Sequence, residues 1–405
     1  MLGALRHRNY RLFFGGQLVS MVGTWMQSIA QPWLVLQLTH SGLLVGLALA
    51  MQYLPMLVAG PFGGLVADRF PKRRVLQLTQ AAFMAPALFL FAVTSTHTVT
   101  YPMVLACAFV WGVVQVVDVP TRQAFAIEMV GREDLVNAIA LNSSIWNTAA
   151  VLGPSLAGVL IALVGVSACF LLNGLSYVAV IVGLGLMSNL PSLLPQAERQ
   201  RMFDRVVEGA RYVRADPVVF SMLLAAGAFS LFAMNRLTLI PLFAEQVLHV
   251  GSAGFGFLMA AQGLGAMTGA LTLAFVPSQA NGRRQFWIGL SWSVFLLGFS
   301  FSRWFSLSML LLYLAGVCQM WFLATANTRV QKATPDRLRG RVMAFYAQAV
   351  MGVGPLGATQ AGALASLLSP VAAMAVGAGL SAAVLLAVRL LTPAAFTLEP
   401  DDYST

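Results

Sequence analysis

Apolar stretches of 18 or more residues follow one another along almost the whole chain, and that succession constrains the fold more than any other feature. A helix rises about 1.5 Å per residue, so each stretch can cross a hydrocarbon layer roughly 30 Å thick. With 59% hydrophobic and 9% charged residues, there is too little polar surface to coat a soluble globule. Lipid must be the main solvent. Runs almost free of charge occupy 12–38, 42–67, 75–121, 135–197, 218–247, 250–282, 285–328 and 342–388. Four of them are of double length, with breaks at 94–100, 165–167, 302–305 and 366–370, where small polar residues, Arg303 or proline interrupt the pattern. The reading is an all-α membrane protein of twelve transmembrane helices.

The net charge of +10 sits in short clusters between spans, which argues against a nucleic-acid partner and for an orientation signal. If the amino terminus is cytosolic, all of the 24 Lys and Arg residues except Arg236 and Arg303 lie in or beside cytosolic connections. Both termini are then expected in the cytosol. The first run is too long for a signal-peptide core and lacks an evident cleavage site, so it is expected to remain as span one. Cys107, Cys169 and Cys318 all lie inside apolar runs, as small core residues do, and no metal or cofactor is expected.

The longest polar segment divides the chain into an expected amino-terminal six-helix bundle (1–190), a cytosolic linker (191–217), a carboxyl-terminal six-helix bundle (218–392) and a cytosolic tail (393–405). In the linker, Phe203, Val206, Val207, Ala210 and Val213 recur at helical spacing opposite Arg199, Arg205, Glu208 and Arg211. This predicts an amphipathic helix on the cytosolic membrane face, with or without a regulatory role. Thr121-Arg122 is echoed by Thr328-Arg329, and Gly153-Pro154 by Gly354-Pro355. Such a parallel repeat fits two bundles related by an axis along the membrane normal.

Span four carries Trp111, Gln115, Asp118 and Arg122 at steps of four, three and four, so one face ends in an acid and a base one turn apart. Ionisable groups within a membrane are costly and are usually paired or turned to a cavity. Asp118 and Arg122 are read either as part of a switchable charge cluster or as a static pair. Span one has a stripe of Gln17, Ser20, Thr24, Gln27, Ser28 and Gln31, which must meet protein or water because lipid cannot satisfy it. Span seven adds Asn235, Arg236 and Thr238, and span ten adds Gln319, Trp321, Thr325 and Asn327. Amides, aromatics and methionines suit a bulky, partly apolar ligand. Arg236 could attract an anionic substrate, pair with Glu245 or snorkel outward.

The connection after span two reads Gly63-Gly64-Leu65-Val66-Ala67-Asp68-Arg69-Phe70-Pro71-Lys72-Arg73-Arg74. It resembles the signature loop of the major facilitator superfamily, with Pro71 where glycine is usual. Gly153-Pro154-Ser155-Leu156-Ala157-Gly158 in span five resembles the second half of the motif of drug and proton antiporters in that superfamily; Asn142, Ser144 and Trp146 occupy the region of its earlier glycines. Four further segments, 5–11, 23–27, 118–125 and 208–214, resemble the bacterial branch that includes the enterobactin exporter and drug and macrolide efflux proteins.

The resemblance implies a secondary transporter of the bacterial inner membrane, exporting a small amphipathic molecule by alternating access and acting as a monomer. It implies that spans one, four, seven and ten line a central cavity. It also implies that Asp68, with Arg69 and Arg73, gates against the start of span eleven near Arg339 to Val342. Gly153, Pro154 and Gly158 then serve helix packing. Proton coupling would fall to Asp118, Glu245 or Glu128. The alternatives are uptake of a metabolite and, from another class, a non-transporting sensor. No constellation suits an enzyme, and no Gly-rich loop ending in Gly-Lys-Ser/Thr suits ATP-driven transport.

Overall fold

The computed structural model describes residues 3–131, 133–188, 202–273, 281–393 and 396. All regular structure among them is helical, as hydrocarbon requires of a chain whose backbone groups must be satisfied locally. After a 3-10 turn at Gly3–Arg6 come α1 (Arg8–Thr39), α2 (Gly42–Arg69), α3 (Lys72–Ser95), α4 (Tyr101–Val130), α5 (Leu135–Val164) and α6 (Val166–Gly185). The second half holds α7 (Met202–Ala215), α8 (Pro217–Phe232), α9 (Arg236–Gln246), α10 (Gly251–Leu273), α11 (Gly282–Phe301), α12 (Phe305–Ala333), α13 (Asp336–Ala347), a π-helical turn at Gln348–Gly352, α14 (Gly354–Leu367) and α15 (Pro370–Leu391).

All four double-length runs divide at the expected breaks, and local chemistry explains where. Gly165 adopts φ +100° between α5 and α6, a conformation that favours glycine. Ser369 caps α15 by accepting from the Ala372 N–H, and Pro370 fills the first helical position, where no N–H is needed. Asp216 caps α8 in the same way, accepting from Val218 and Val219, with Pro217 following it. Two breaks were not anticipated. Span seven is interrupted at 233–235, where the Asn235 amide donates to the Leu231 carbonyl at 2.8 Å. Span eleven widens into the π-turn just before Pro355, which has no N–H to give to the preceding turn.

Among the described residues, ten helical segments are long and apolar enough to cross a membrane, counting α8–α9 and α13–α14 as single spans. The 32-residue α1 and the 20-residue α11 are also of membrane length. Twelve crossings are consistent with this set.

The chain forms two compact units. In the first (Met1–His40, Ala48–Ala197 and Gly251–Ala260), α1 packs on α5 and α6, and α3 on α4 and α6. Its core includes Ala4, Tyr10, Phe13, Phe125, Met129 and Leu184. There α5 and the start of α10 meet without intervening side chains: a Cβ on Gly256 would lie 2.6 Å from the Gly158 Cα. Small residues of this kind let helices approach where lipid supplies no hydrophobic drive for association. In the second unit (Ser41–Leu47, Glu198–Val250 and Ala261–Thr405), α11 packs on α12 and α15 around the stacked rings of Phe229 and Trp292, with Phe322 tilted against both.

The linker segment forms a helix, α7, as its spacing predicts. It packs on α13 and α8, burying Val213 and setting Gly209 against Arg341 and Phe345, while Val207 stays exposed. Phe203, Arg205 and Val206 have side chains outside the described set, as do Arg199 and the tail beyond 396 altogether.

The Gly158 crossing gives a direct test. Gly256→Val should lower the melting temperature of the purified protein by an overpacking cost of about 1–3 kcal/mol. Gly340→Ala, where no atom would crowd a Cβ, should leave it unchanged or slightly higher.

Candidate functional site

The most deeply placed charge among the described residues is on α4. Asp118 is 0% exposed, and three donors converge on its carboxylate. Thr79 Oγ1 donates to Oδ1 at 2.7 Å and Gln80 Nε2 donates to the same oxygen at 2.9 Å, both from α3. Arg122, one turn along α4, bonds Oδ2. A buried carboxylate is tolerable only when its lone pairs are met in this way, and removing the cationic partner would cost about 3–5 kcal/mol. A second pair joins the same two helices, with Lys72 Nζ 2.6 Å from Glu128 Oε1 and both side chains nearly buried. The switchable and static readings of Asp118 and Arg122 share this geometry.

The polar stripe on α1 turns toward α6. Gln27 Oε1 accepts from Asn173 Nδ2 at 2.6 Å, and Thr24 Oγ1 lies 3.4 Å from the Tyr177 hydroxyl. Gly23 makes this approach possible, since a Cβ there would fall 2.8 Å from Asn173 Oδ1. Phe83 stacks on Tyr177 and tilts against Trp111, each ring pair 5.7 Å apart. Gln17 and Gln31 are also buried; among the described residues neither Gln17 amide atom nor Gln31 Nε2 has a hydrogen-bond partner. Gln115 is half-buried on α4. Asn173, Ser176 and Tyr177 were not singled out from the sequence, although their i, i+3, i+4 spacing marks a polar face on span six.

In the second unit, Asn235 precedes α9, Arg236 opens it half-buried, and Thr325 is buried on α12. Gln319 Oε1 accepts from Gln262 at 3.2 Å. Trp321 donates to Thr272 at 3.1 Å while the Arg284 guanidinium lies 4.1 Å above its ring. The Oε2 atom of Glu245 is buried, with no hydrogen-bond partner among the described residues.

At the ends of the helices read as cytosolic, Arg69 is exposed and Arg73 donates to the Gly185 carbonyl at 2.6 Å. The Asp68 side chain lies outside the described set. The start of span eleven is held by the linker helix: Glu208 bonds Arg337 at 3.2 Å and also Arg341, and the Tyr212 hydroxyl donates to the Ala333 carbonyl at 2.6 Å. Burial, with the Asp216 charge beside it, pushes the Tyr212 phenol up to about 12, so it stays a donor. The amino-terminal turn is clasped by His7 to Asp134 at 2.9 Å and by Arg8 to Ser188 at 3.0 Å.

Helices of membrane length, discontinuous spans and buried charge pairs together mark a polytopic membrane protein, and the fold is that of the major facilitator transporters. The family model described as transmembrane secretion effector matches residues 1–402, and the chain belongs to this family. It is 28% identical to the enterobactin exporter EntS of Shigella boydii over 385 residues, 92% of this chain and 89% of the relative. It is 24% identical over 352 residues to the staphyloferrin A transporter of Staphylococcus aureus, 86% of this chain and 87% of that one. Among solved structures, a bacterial homolog of the human lysosomal transporter Spinster superposes with TM-score 0.73 at 13% identity, over 96% of each chain.

The clasp on Asp134 sets a pH dependence. The hydrogen bond from His7 holds the Asp134 carboxyl below its ordinary range, aided by Asn137 and the charges of His7 and Arg6. A lowered carboxylate contributes fully above its unfolded pKa and is lost only as pH falls through the folded value. Protection of the Arg6 and Arg8 bonds from trypsin should therefore be full at neutral pH and be lost in Asp134→Asn. Equal protection in the variant would show that the clasp lies elsewhere.

Proposed function

We propose that the protein is a proton-driven exporter of a small amphipathic compound, a siderophore or a drug-like molecule, working by alternating access as a monomer with both termini in the cytosol. The observation that carries the reading is the Asp118 cluster, a fully buried carboxylate within a fold whose relatives are an enterobactin exporter and a staphyloferrin A transporter. A secondary transporter needs a group whose protonation changes as its surroundings alternate. Asp118 offers one oxygen to Thr79 and Gln80 and the other to Arg122. Protonation would cancel the charge that holds Arg122 and free the guanidinium to take other partners. The two halves of the chain would then rock about a midplane site, and the Asp68 loop would hold the outward-facing state. The cavity-lining roles of Gln115, Arg236 and Thr325, and a coupling role for Glu245, belong to the same proposal.

Accumulation of enterobactin, staphyloferrin A, macrolides and dyes in cells lacking their own efflux pumps tests this reading. The native chain should lower accumulation of at least one compound, a protonophore should abolish the effect, and Asp118→Asn should match cells without the protein. Raised accumulation would mean uptake, and export indifferent to the protonophore would remove protons as the driver.

A further inference from the structure

Helix α5 has no charged residue along its length, yet it exposes Asn142, Ser143, Ser144 and Trp146 in succession. These residues lie well inside the helix: Trp146 is about 16 Å from its start at Leu135, at about 1.5 Å per residue. That is too deep for the ring of aromatic residues that anchors helices at headgroup level. Trp146 is 54% exposed. Its ring meets that of Trp25, near the middle of α1, edge to face with centroids 5.5 Å apart. Gly153 lies on the same face of α5 as Asn142 and Trp146, eleven and seven residues on. Any side chain at Gly153 would strike the Trp25 Cβ, so the glycine of the Gly-Pro motif sets Trp25 at this position.

The hydrogen-bonding character of the face is definite. Ser143, about 60° round the helix from Trp146, spends its hydroxyl proton on the Ile139 carbonyl at 3.0 Å, which leaves its oxygen as an acceptor; Ser144, about 160° from Trp146, belongs to another face. Asn142 adds an amide with no hydrogen-bond partner among the described residues, offering both donor and acceptor. An unmatched amide exposed to hydrocarbon is costly, so this stretch faces water or a ligand.

We infer that Trp146, Asn142 and Ser143, backed by Trp25, form a subsite for a planar aromatic ring carrying phenolic hydroxyls. The indole of Trp146, 54% exposed, is available for stacking, and the Ser143 and Asn142 oxygens accept from O–H donors. The lack of charge on α5 selects a neutral ring over a carboxylate. The inference rests on the transport reading above and names the chemistry of the cargo.

The test uses the full chain in lipid nanodiscs, with Cys107, Cys169 and Cys318 replaced by alanine and Ser143→Cys as the reporter. A charged methanethiosulfonate should label the reporter, catechol should slow labelling several-fold, and citrate should not. Trp146→Leu should abolish that protection while labelling persists, and Trp146→Phe should keep part of it. No labelling of the reporter, with Gly340→Cys labelled as a control, would mean the face meets lipid and would overturn the subsite. Labelling without protection by the catechol, or with equal protection by citrate, would overturn it too. Protection without export in the cell assay would defeat the transport reading alone, whereas export without protection would defeat the subsite alone.

Discussion

Hydrocarbon offers no hydrogen bonds, and most of this structure follows from that constraint. Every described backbone element is helical, and polar side chains within spans largely find one another. Asp118 is satisfied by Thr79, Gln80 and Arg122, Lys72 by Glu128, and Gln27 by Asn173. In water such contacts would each contribute little, because solvent competes for both partners. Inside a bilayer the alternative to a protein partner is none, so the same contacts decide which helix faces meet.

The constraint also isolates the places where it is relaxed. The backbone departs from continuous helix within spans seven and eleven, next to Asn235 and Pro355, and α5 presents an unmatched amide beside an exposed indole. Irregular backbone and outward polar groups at membrane depth are tolerated where they line a cavity or meet a ligand, which links these features to transport. The Asp118–Arg122 pair within α4 and the Lys72–Glu128 pair between α3 and α4 contribute differently. They do not contact a cargo in the proposal; they provide a charge balance that one proton can upset.

Much of the fold was legible in the sequence because the signals were local. Gly165, Pro370 and the 302–305 interruption end helices through their own backbone chemistry, so the double-length runs could be divided correctly. The Asp118 and Arg122 pair was legible because a four-residue step places both on one helix face. What periodicity could not reveal was the identity of the facing partner. The α1 stripe is correctly polar, but its contact with Asn173 and Tyr177 spans about 150 residues of chain and depends on Gly23. Thr79, Gln80 and the Lys72 to Glu128 bond escaped notice for the same reason, as did the ties from Glu208 on the linker helix to Arg337 and Arg341. The π-turn is also met by the Ser230 hydroxyl, which donates to the Val350 carbonyl, a tertiary contact with no local signature.

The central claim is that outward movement of cargo is exchanged for protons through Asp118. Its most direct test is proton flux in vesicles reconstituted with the purified chain and loaded with a pH-sensitive dye. A compound whose accumulation the native chain lowers, supplied as a gradient, should drive protons in the opposite direction, and Asp118→Asn should give no proton signal. Movement of the compound with no accompanying proton flux, or a flux unchanged in Asp118→Asn, would contradict the account.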